Sequence, residues 1–173
     1  MIELLSVDGY ELRYGEVQST NIDLAIIDRT NKVCLCLELK WFIEPAEIRE
    51  IEDRSKDLAK GVAQCKTLNK LYRQNDARMM QTVLGIDSGY SFLAAVGSVN
   101  WIGFGEVQDP EVPIIKVFHL VEKIKETGSL SETCRWLEGR DYLPLEDRDY
   151  SVIPAEISCG RWSTTWYGIK PLV

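Results

Sequence analysis

The chain has 173 residues, of which 45% are hydrophobic and 27% are charged, as in an ordinary globular protein that buries a core. The formal net charge of −7 argues against attraction of the whole surface to nucleic acid. No apolar run is long enough for a membrane span, and Glu3 and Asp8 do not fit a signal peptide. We therefore expect a cytoplasmic protein without a membrane partner. The cysteines agree with this, because they are odd in number and lack a C-x-x-C pair: Cys34, Cys36, Cys65, Cys134 and Cys159.

The first elements along the chain are predicted to be β-strands. Residues 9–18 suggest an edge strand or hairpin that is broken at Gly15. Two hydrophobic strands follow, Asn21–Asp28 and Val33–Lys40, and the polar residues 29–32 between them form a turn. A short polar turn between two such strands predicts an antiparallel hairpin.

The remainder of the chain alternates helices with strands. Pro45 suits a first helical position, and apolar residues then recur at helical spacing to about Gln74. The later predicted elements are a strand, two helices and a final strand: Ser91–Phe104, Lys116 to about Gly128, Ser131–Glu138 and Gly160–Lys170. This order favours a single α/β domain over residues 1–173, with a mixed β-sheet flanked by helices.

Three charged residues lie at one end of the predicted hairpin. Asp23 is near the start of the first strand, and Glu38 and Lys40 share one face at the end of the second. Because two close carboxylates repel each other, a cation between them would allow both to ionise. Mg²⁺ or Mn²⁺ prefers oxygen ligands, which Asp23, Glu38 and the Leu39 carbonyl can supply. Lys40 could then hold a metal-bound water or a phosphate, as metal-assisted phosphodiester hydrolysis requires.

Asp23, followed after fourteen residues by Glu38-Leu39-Lys40, resembles the signature of the PD-(D/E)xK phosphodiesterase superfamily, the restriction-endonuclease-like nucleases. The nominal proline is replaced by Ile22. The resemblance extends into the next helix, where Gln64 matches a glutamine that reaches the active site in several branches. It implies a restriction-endonuclease-like sheet and a Mg²⁺-dependent nuclease acting on DNA in repair or in defence against foreign DNA.

The sequence also departs from that family. The motif-bearing core is about residues 9–104, followed by additional elements in 113–173, and no space for the family's first helix precedes residue 9. The resemblance therefore implies either a domain cut from a longer polypeptide or a homodimer. Glu16 or Glu11 could replace the acid of the missing helix as a metal ligand, although each also fits a surface strand.

A basic segment follows the motif. Residues 53–80 contain seven lysines and arginines against three aspartates, a net charge of +4. A solvated helix face is one explanation, and contact with a nucleic-acid backbone is the other. Under the second explanation the lysines of the helix bind phosphates: Lys56, Lys60, Lys66 and Lys70.

Several alternatives remain open from the sequence. The same fold could be a non-catalytic module for DNA binding or protein assembly, or the acids could merely pair with lysines in an unrelated α/β protein. RNA is the alternative to DNA as substrate. A zinc site formed by Cys34, Cys36 and His119 is a weaker hypothesis. The row formed by Trp162 and Trp166 could stack on bases, although cross-strand packing is the commoner explanation.

Overall fold

The computed structural model describes residues 9–17, 20–42, 47–99 and 109–172. These residues belong to two compact units, one ending at Gly139 and one beginning at Arg140. The single domain expected over residues 1–173 stays a prediction. The predicted helix start at Pro45 and the end of the predicted strand at residues 100–104 lie outside the described residues.

The first unit contains a five-stranded mixed sheet in the order β1-β2-β3-β4-β5. The first three strands are antiparallel, and β3, β4 and β5 are parallel. The strands are Glu11–Val17, Thr20–Asp28, Val33–Lys40, Ser91–Ser98 and Ile114–Lys116. This sheet and its helices confirm the α/β class with a mixed sheet.

The hairpin of β2 and β3 forms as the sequence predicts. Asp28 pairs with Val33 in the ladder, and the Asp28 carboxylate accepts hydrogen bonds from the backbone and side-chain nitrogens of Asn31 at 2.9 and 2.8 Å. These contacts satisfy polar groups of the tight turn. The predicted break at Gly15 does not occur, because β1 continues from Glu11 to Val17. The register with β2 shifts between Arg13 and Gly15, where one residue of β1 lies opposite two residues of β2.

Helices cover the sheet, and one of them lies between two parallel strands. The helices in the described part of the first unit are α1 (Ile48–Arg73), a π-helix (Arg78–Leu84), α2 (Val117–Thr127) and α3 (Leu130–Glu138). Helix α1 links β3 to β4, as a parallel connection requires. None of the helices in the described ranges is both long enough and apolar enough to cross a lipid bilayer.

Both faces of β3 are buried. Cys34 and Cys36 join the core cluster that includes Leu58 and Cys65 of α1. Leu35 is also fully buried, and because side chains alternate along a strand it belongs to the other face, where α3 contacts β3. Helix α1 therefore covers the cysteine face of β3, and α3 contacts the opposite face.

Two further details differ from the sequence prediction. Helix α3 is capped by Ser129, whose side chain accepts from the Glu132 backbone N–H, and it does not begin at Ser131. The second unit contains a hairpin of β6 (Tyr150–Cys159) and β7 (Trp162–Pro171), of which only the second strand was predicted.

Candidate active site

The hairpin register places Asp23 and Glu38 side by side. The β2–β3 ladder ends at the pair of Leu24 and Leu37, and Asp23 and Glu38 are the residues next to this pair on the two strands. The Asp23 Oδ2 atom accepts a hydrogen bond from the Leu39 backbone N–H at 2.9 Å. The carboxylate of Asp23 is thus held against the strand that carries Glu38.

The Lys40 side chain lies on the same face of β3 as Glu38 and belongs to the same group. Its Nζ lies 2.8 Å from Glu38 Oε1 and donates to Gln64 Oε1 of helix α1 at 3.3 Å. The Lys40 and Glu38 side chains are only 19% and 4% exposed. The structure therefore brings together the four residues that the sequence singled out, namely Asp23, Glu38, Lys40 and Gln64.

The surroundings of the Glu38 carboxyl group disfavour its charged form. Its Oε2 atom is buried and has no hydrogen-bond partner. Burial raises the pKa of the Glu38 carboxyl above its ordinary value, and repulsion by Asp23 raises it further, against the opposing effect of Lys40. A single lysine therefore does not compensate the two neighbouring carboxylates.

The atoms of this site that could bind a metal ion are oxygens. The Lys40 carbonyl accepts from the Val99 backbone N–H on the β4 side. Adjacent residues of a strand direct their carbonyls to opposite sides, so the Leu39 carbonyl faces β2. The Leu39 N–H faces the same side, where it donates to Asp23. Two carboxylates and one carbonyl match the preference of Mg²⁺, which also keeps several waters.

A third acidic ligand is not gathered at this site. Within the described ranges, no group of three or more histidine, cysteine, aspartate or glutamate side chains is placed to hold a metal ion. Glu16 is exposed and pairs in register with Asn21, and its role as a ligand stays a prediction. Glu11 instead pairs with Arg29 and Arg13, whose hydrogen bonds lower its pKa to about 2.

The sequence missed two residues of the site, of which Asn21 is the first. Its Nδ2 donates to Asp23 Oδ1 at 2.6 Å, and its Oδ1 accepts from Gln64 Nε2 at 3.4 Å. The only available signal was its position two residues before Asp23, which places both side chains on one face of β2.

Gly61 is the second missed residue, and it allows α1 to approach the site closely. A Cβ atom at this position would lie 3.0 Å from Lys40 Cε, 3.3 Å from Val96 Cγ2 and 3.4 Å from Glu38 Cγ. These separations are shorter than comfortable van der Waals contact. A glycine inside a long helix was the signal for such an approach.

We expect Gly61→Val to displace Lys40 from Glu38, because the added side chain occupies the space of the Lys40 stem. Overpacking at a filled position costs about 1–3 kcal/mol, so the free energy of unfolding should fall by this amount. Chemical denaturation measures the loss. The matched control is Ala63→Val on an exposed position of the same helix, and an equal loss in both variants would contradict the close approach at Gly61.

Most of the predicted phosphate-binding lysines are already paired. Lys56 contacts Glu52 and Asp53, Lys60 contacts Asp57 at 2.9 Å, and Lys66 contacts Asp109 at 2.5 Å. Lys70 is exposed on the same helix. All four lie on the outer surface of α1, and none is a contact of Asp23 or Glu38, so a phosphate-binding role remains a prediction.

The predicted zinc site finds no support among the described residues. Cys34 and Cys36 are buried, with sulfur atoms 4.0 Å apart, whereas His119 is exposed. Burial raises the pKa of the Cys36 thiol well above its ordinary value, which opposes the thiolate form that zinc requires. The zinc hypothesis therefore lacks a suitable group among the described residues.

Comparisons with protein-family models, curated proteins and solved structures find no match to this chain. The resemblance to the PD-(D/E)xK superfamily accordingly depends on the residues described above. What the structure contributes is the spatial group: an acid from β2, an acid and a lysine from β3, and a glutamine from α1.

Proposed function

We propose that this protein is a divalent-metal-dependent nuclease of the PD-(D/E)xK type, with a restriction-endonuclease-like fold. The observation that carries the proposal is Glu38 Oε2, which is buried without a hydrogen-bond partner beside the carboxylate of Asp23. Lys40 pairs with the other oxygen, Oε1, and a buried polar atom that stays without a partner costs free energy. A cation between Glu38 and Asp23 would remove this cost and would bind where oxygen atoms converge.

The residues present fit Mg²⁺ or Mn²⁺. Asp23, Glu38 and the Leu39 carbonyl would hold the ion, and waters would complete its shell. When bound, such an ion polarises a phosphoryl oxygen and lowers the pKa of a coordinated water. Among the residues that the structure describes, no third acidic ligand is placed at this site, so waters and substrate oxygens would supply the rest of the coordination.

The side chains around the carboxylates have roles of their own. The Lys40 ammonium group donates to Glu38 and Gln64, and its remaining proton can orient a nucleophilic water or neutralise a phosphate oxygen. Gln64 keeps this ammonium group in place from α1. Because the Lys40 side chain is 19% exposed, a substrate phosphate can reach it from solvent.

We propose DNA as the substrate, with RNA as the alternative. The net charge of +4 in residues 53–80 supports a phosphate-binding surface on α1, where Lys56, Lys60, Lys66 and Lys70 lie. Three of these lysines are paired with acids, so phosphates would have to replace carboxylates. Such binding weakens steeply with salt. A homodimer, or a place within a longer cytoplasmic protein, would enlarge this surface.

The second candidate function is a non-catalytic module for DNA binding or assembly in a repair or defence protein. It is favoured by the pairing of the surface lysines, and by the lack of a third acidic ligand in the described part of the chain. Against it, Asp23, Glu38 and Lys40 are all retained and in contact. A module that only binds would not need a buried carboxylate without a partner.

We expect the full chain to cleave nucleic acid in Mg²⁺ or Mn²⁺ and to be inactive in EDTA. The assay uses single-stranded, duplex and branched DNA together with RNA of matched sequence, and it follows fragment length on denaturing gels. The preferred polymer identifies the substrate class. Intact substrate under every metal, with binding still measurable, would favour the non-catalytic module.

A further inference from the structure

A chain of hydrogen bonds connects the lysine of the site to its first acid. Lys40 Nζ donates to Gln64 Oε1 at 3.3 Å, Gln64 Nε2 donates to Asn21 Oδ1 at 3.4 Å, and Asn21 Nδ2 donates to Asp23 Oδ1 at 2.6 Å. We call this series the amide relay. It joins three separate elements, β3, α1 and β2.

The relay has only one possible direction. An ammonium group offers donors alone, a carboxylate offers acceptors alone, and each primary amide has one end of each kind. The positive charge of Lys40 therefore fixes the orientation of the Gln64 amide, and the negative charge of Asp23 fixes that of Asn21. The donor and acceptor ends of the two amides then match each other.

We propose that Asn21 is a positioning residue that holds Asp23 and Gln64, and through Gln64 also Lys40, around the proposed cation site. This inference rests on the proposed function. Asn21 is exposed, so it does not act by filling the core. Its Nδ2 holds one oxygen of Asp23, while the Leu39 N–H holds the other. Together these bonds fix the carboxylate in one rotamer.

The relay also explains why Gln64 faces the site. The Gln64 side chain extends from a helix towards strands β2 and β3, and its two ends bind residues of both strands. Without Asn21, the Gln64 amide would lose the acceptor of its Nε2 group and would hold the Lys40 ammonium group less firmly. The loss of an exposed asparagine should therefore disturb a lysine that it does not touch.

The test measures the affinity of Mn²⁺ for Asn21→Ala, Gln64→Ala and the double variant by calorimetry. Partners that orient a metal ligand typically contribute about 10–100-fold in metal affinity or activity, and we expect about tenfold weaker Mn²⁺ binding in Asn21→Ala. The double variant should bind about as weakly as the weaker single variant, because the two amides act as one unit. In cleavage assays kcat should fall with little change in KM for DNA. The matched control is Asn69→Ala on α1, outside the relay.

Wild-type affinity in Asn21→Ala, or losses that multiply in the double variant, would overturn the inference. A wild-type chain that binds no Mn²⁺ would instead refute the proposed function. In that case the amide relay is tested without metal, by the side-chain amide NMR signals of Gln64. These signals should shift in Asn21→Ala and remain unchanged in Asn69→Ala. Unchanged Gln64 signals in Asn21→Ala would refute the relay in either case.

Discussion

Replacing Lys40 with alanine is expected to abolish metal-dependent cleavage while nucleic-acid binding persists. The variant removes the ammonium group that lies 2.8 Å from Glu38 Oε1 and that would face a water or phosphate oxygen. Loss of a positioned proton-transfer or charge-stabilising group typically costs about 10²–10⁴-fold in rate. Single-turnover cleavage in Mg²⁺ measures the rate, and filter binding in Ca²⁺ or EDTA measures affinity.

The control for this substitution is Lys125→Ala, which removes an exposed lysine from the last turn of α2. It should leave both cleavage and binding unchanged. Circular dichroism establishes that Lys40→Ala is folded, which matters because the variant leaves Glu38 without its positive partner. Full cleavage by folded Lys40→Ala protein would refute the role assigned to this lysine.

Replacing Glu38 with glutamine is expected to stabilise the metal-free protein at neutral pH. Burial and repulsion by Asp23 raise the pKa of the Glu38 carboxyl in the folded state, so the folded protein binds this proton more tightly than the unfolded chain. The stability that the proton contributes is complete below the ordinary value of 4.5 and is lost as the pH rises through the raised pKa. Each unit of raised pKa corresponds to about 1.4 kcal/mol.

The Glu38→Gln gain should therefore be absent below pH 4.5 and largest above the raised pKa, as urea unfolding across pH would measure. Mg²⁺ should stabilise the wild type but not this variant, because binding needs the carboxylate. The control is Glu11→Gln. Arg29 and Arg13 lower the pKa of Glu11 to about 2, so that variant should lose stability at neutral pH. A loss of stability in Glu38→Gln at neutral pH without metal would contradict the description of the site.

The hairpin and its charged end could be predicted from the sequence because they depend on local patterns. Alternating faces and a short polar turn are sufficient to place Asp23 and Glu38 at one end, and the ladder from Leu24 to Asp28 has this register. Gln64 could be placed by resemblance alone. Its contact with Lys40 spans 24 positions, and no local pattern determines such a distance.

The remaining features depend on contacts between distant segments. Lys66 pairs with Asp109, and Gly61 is required because α1 lies close to β3. Strand β6 was not predicted because it contains Pro154, and proline is rare in strands other than edge strands. In a two-stranded hairpin both strands are edges, so the proline fits there after all.

The central claim is that Asp23 and Glu38 share a divalent cation, and anomalous diffraction from a crystal soaked in Mn²⁺ tests it most directly. The account predicts a manganese peak in contact with both carboxylates and the Leu39 carbonyl, with Lys40 alongside. Diffraction that locates no manganese between these two side chains, while Glu38 Oε2 remains buried without a partner, would contradict the account.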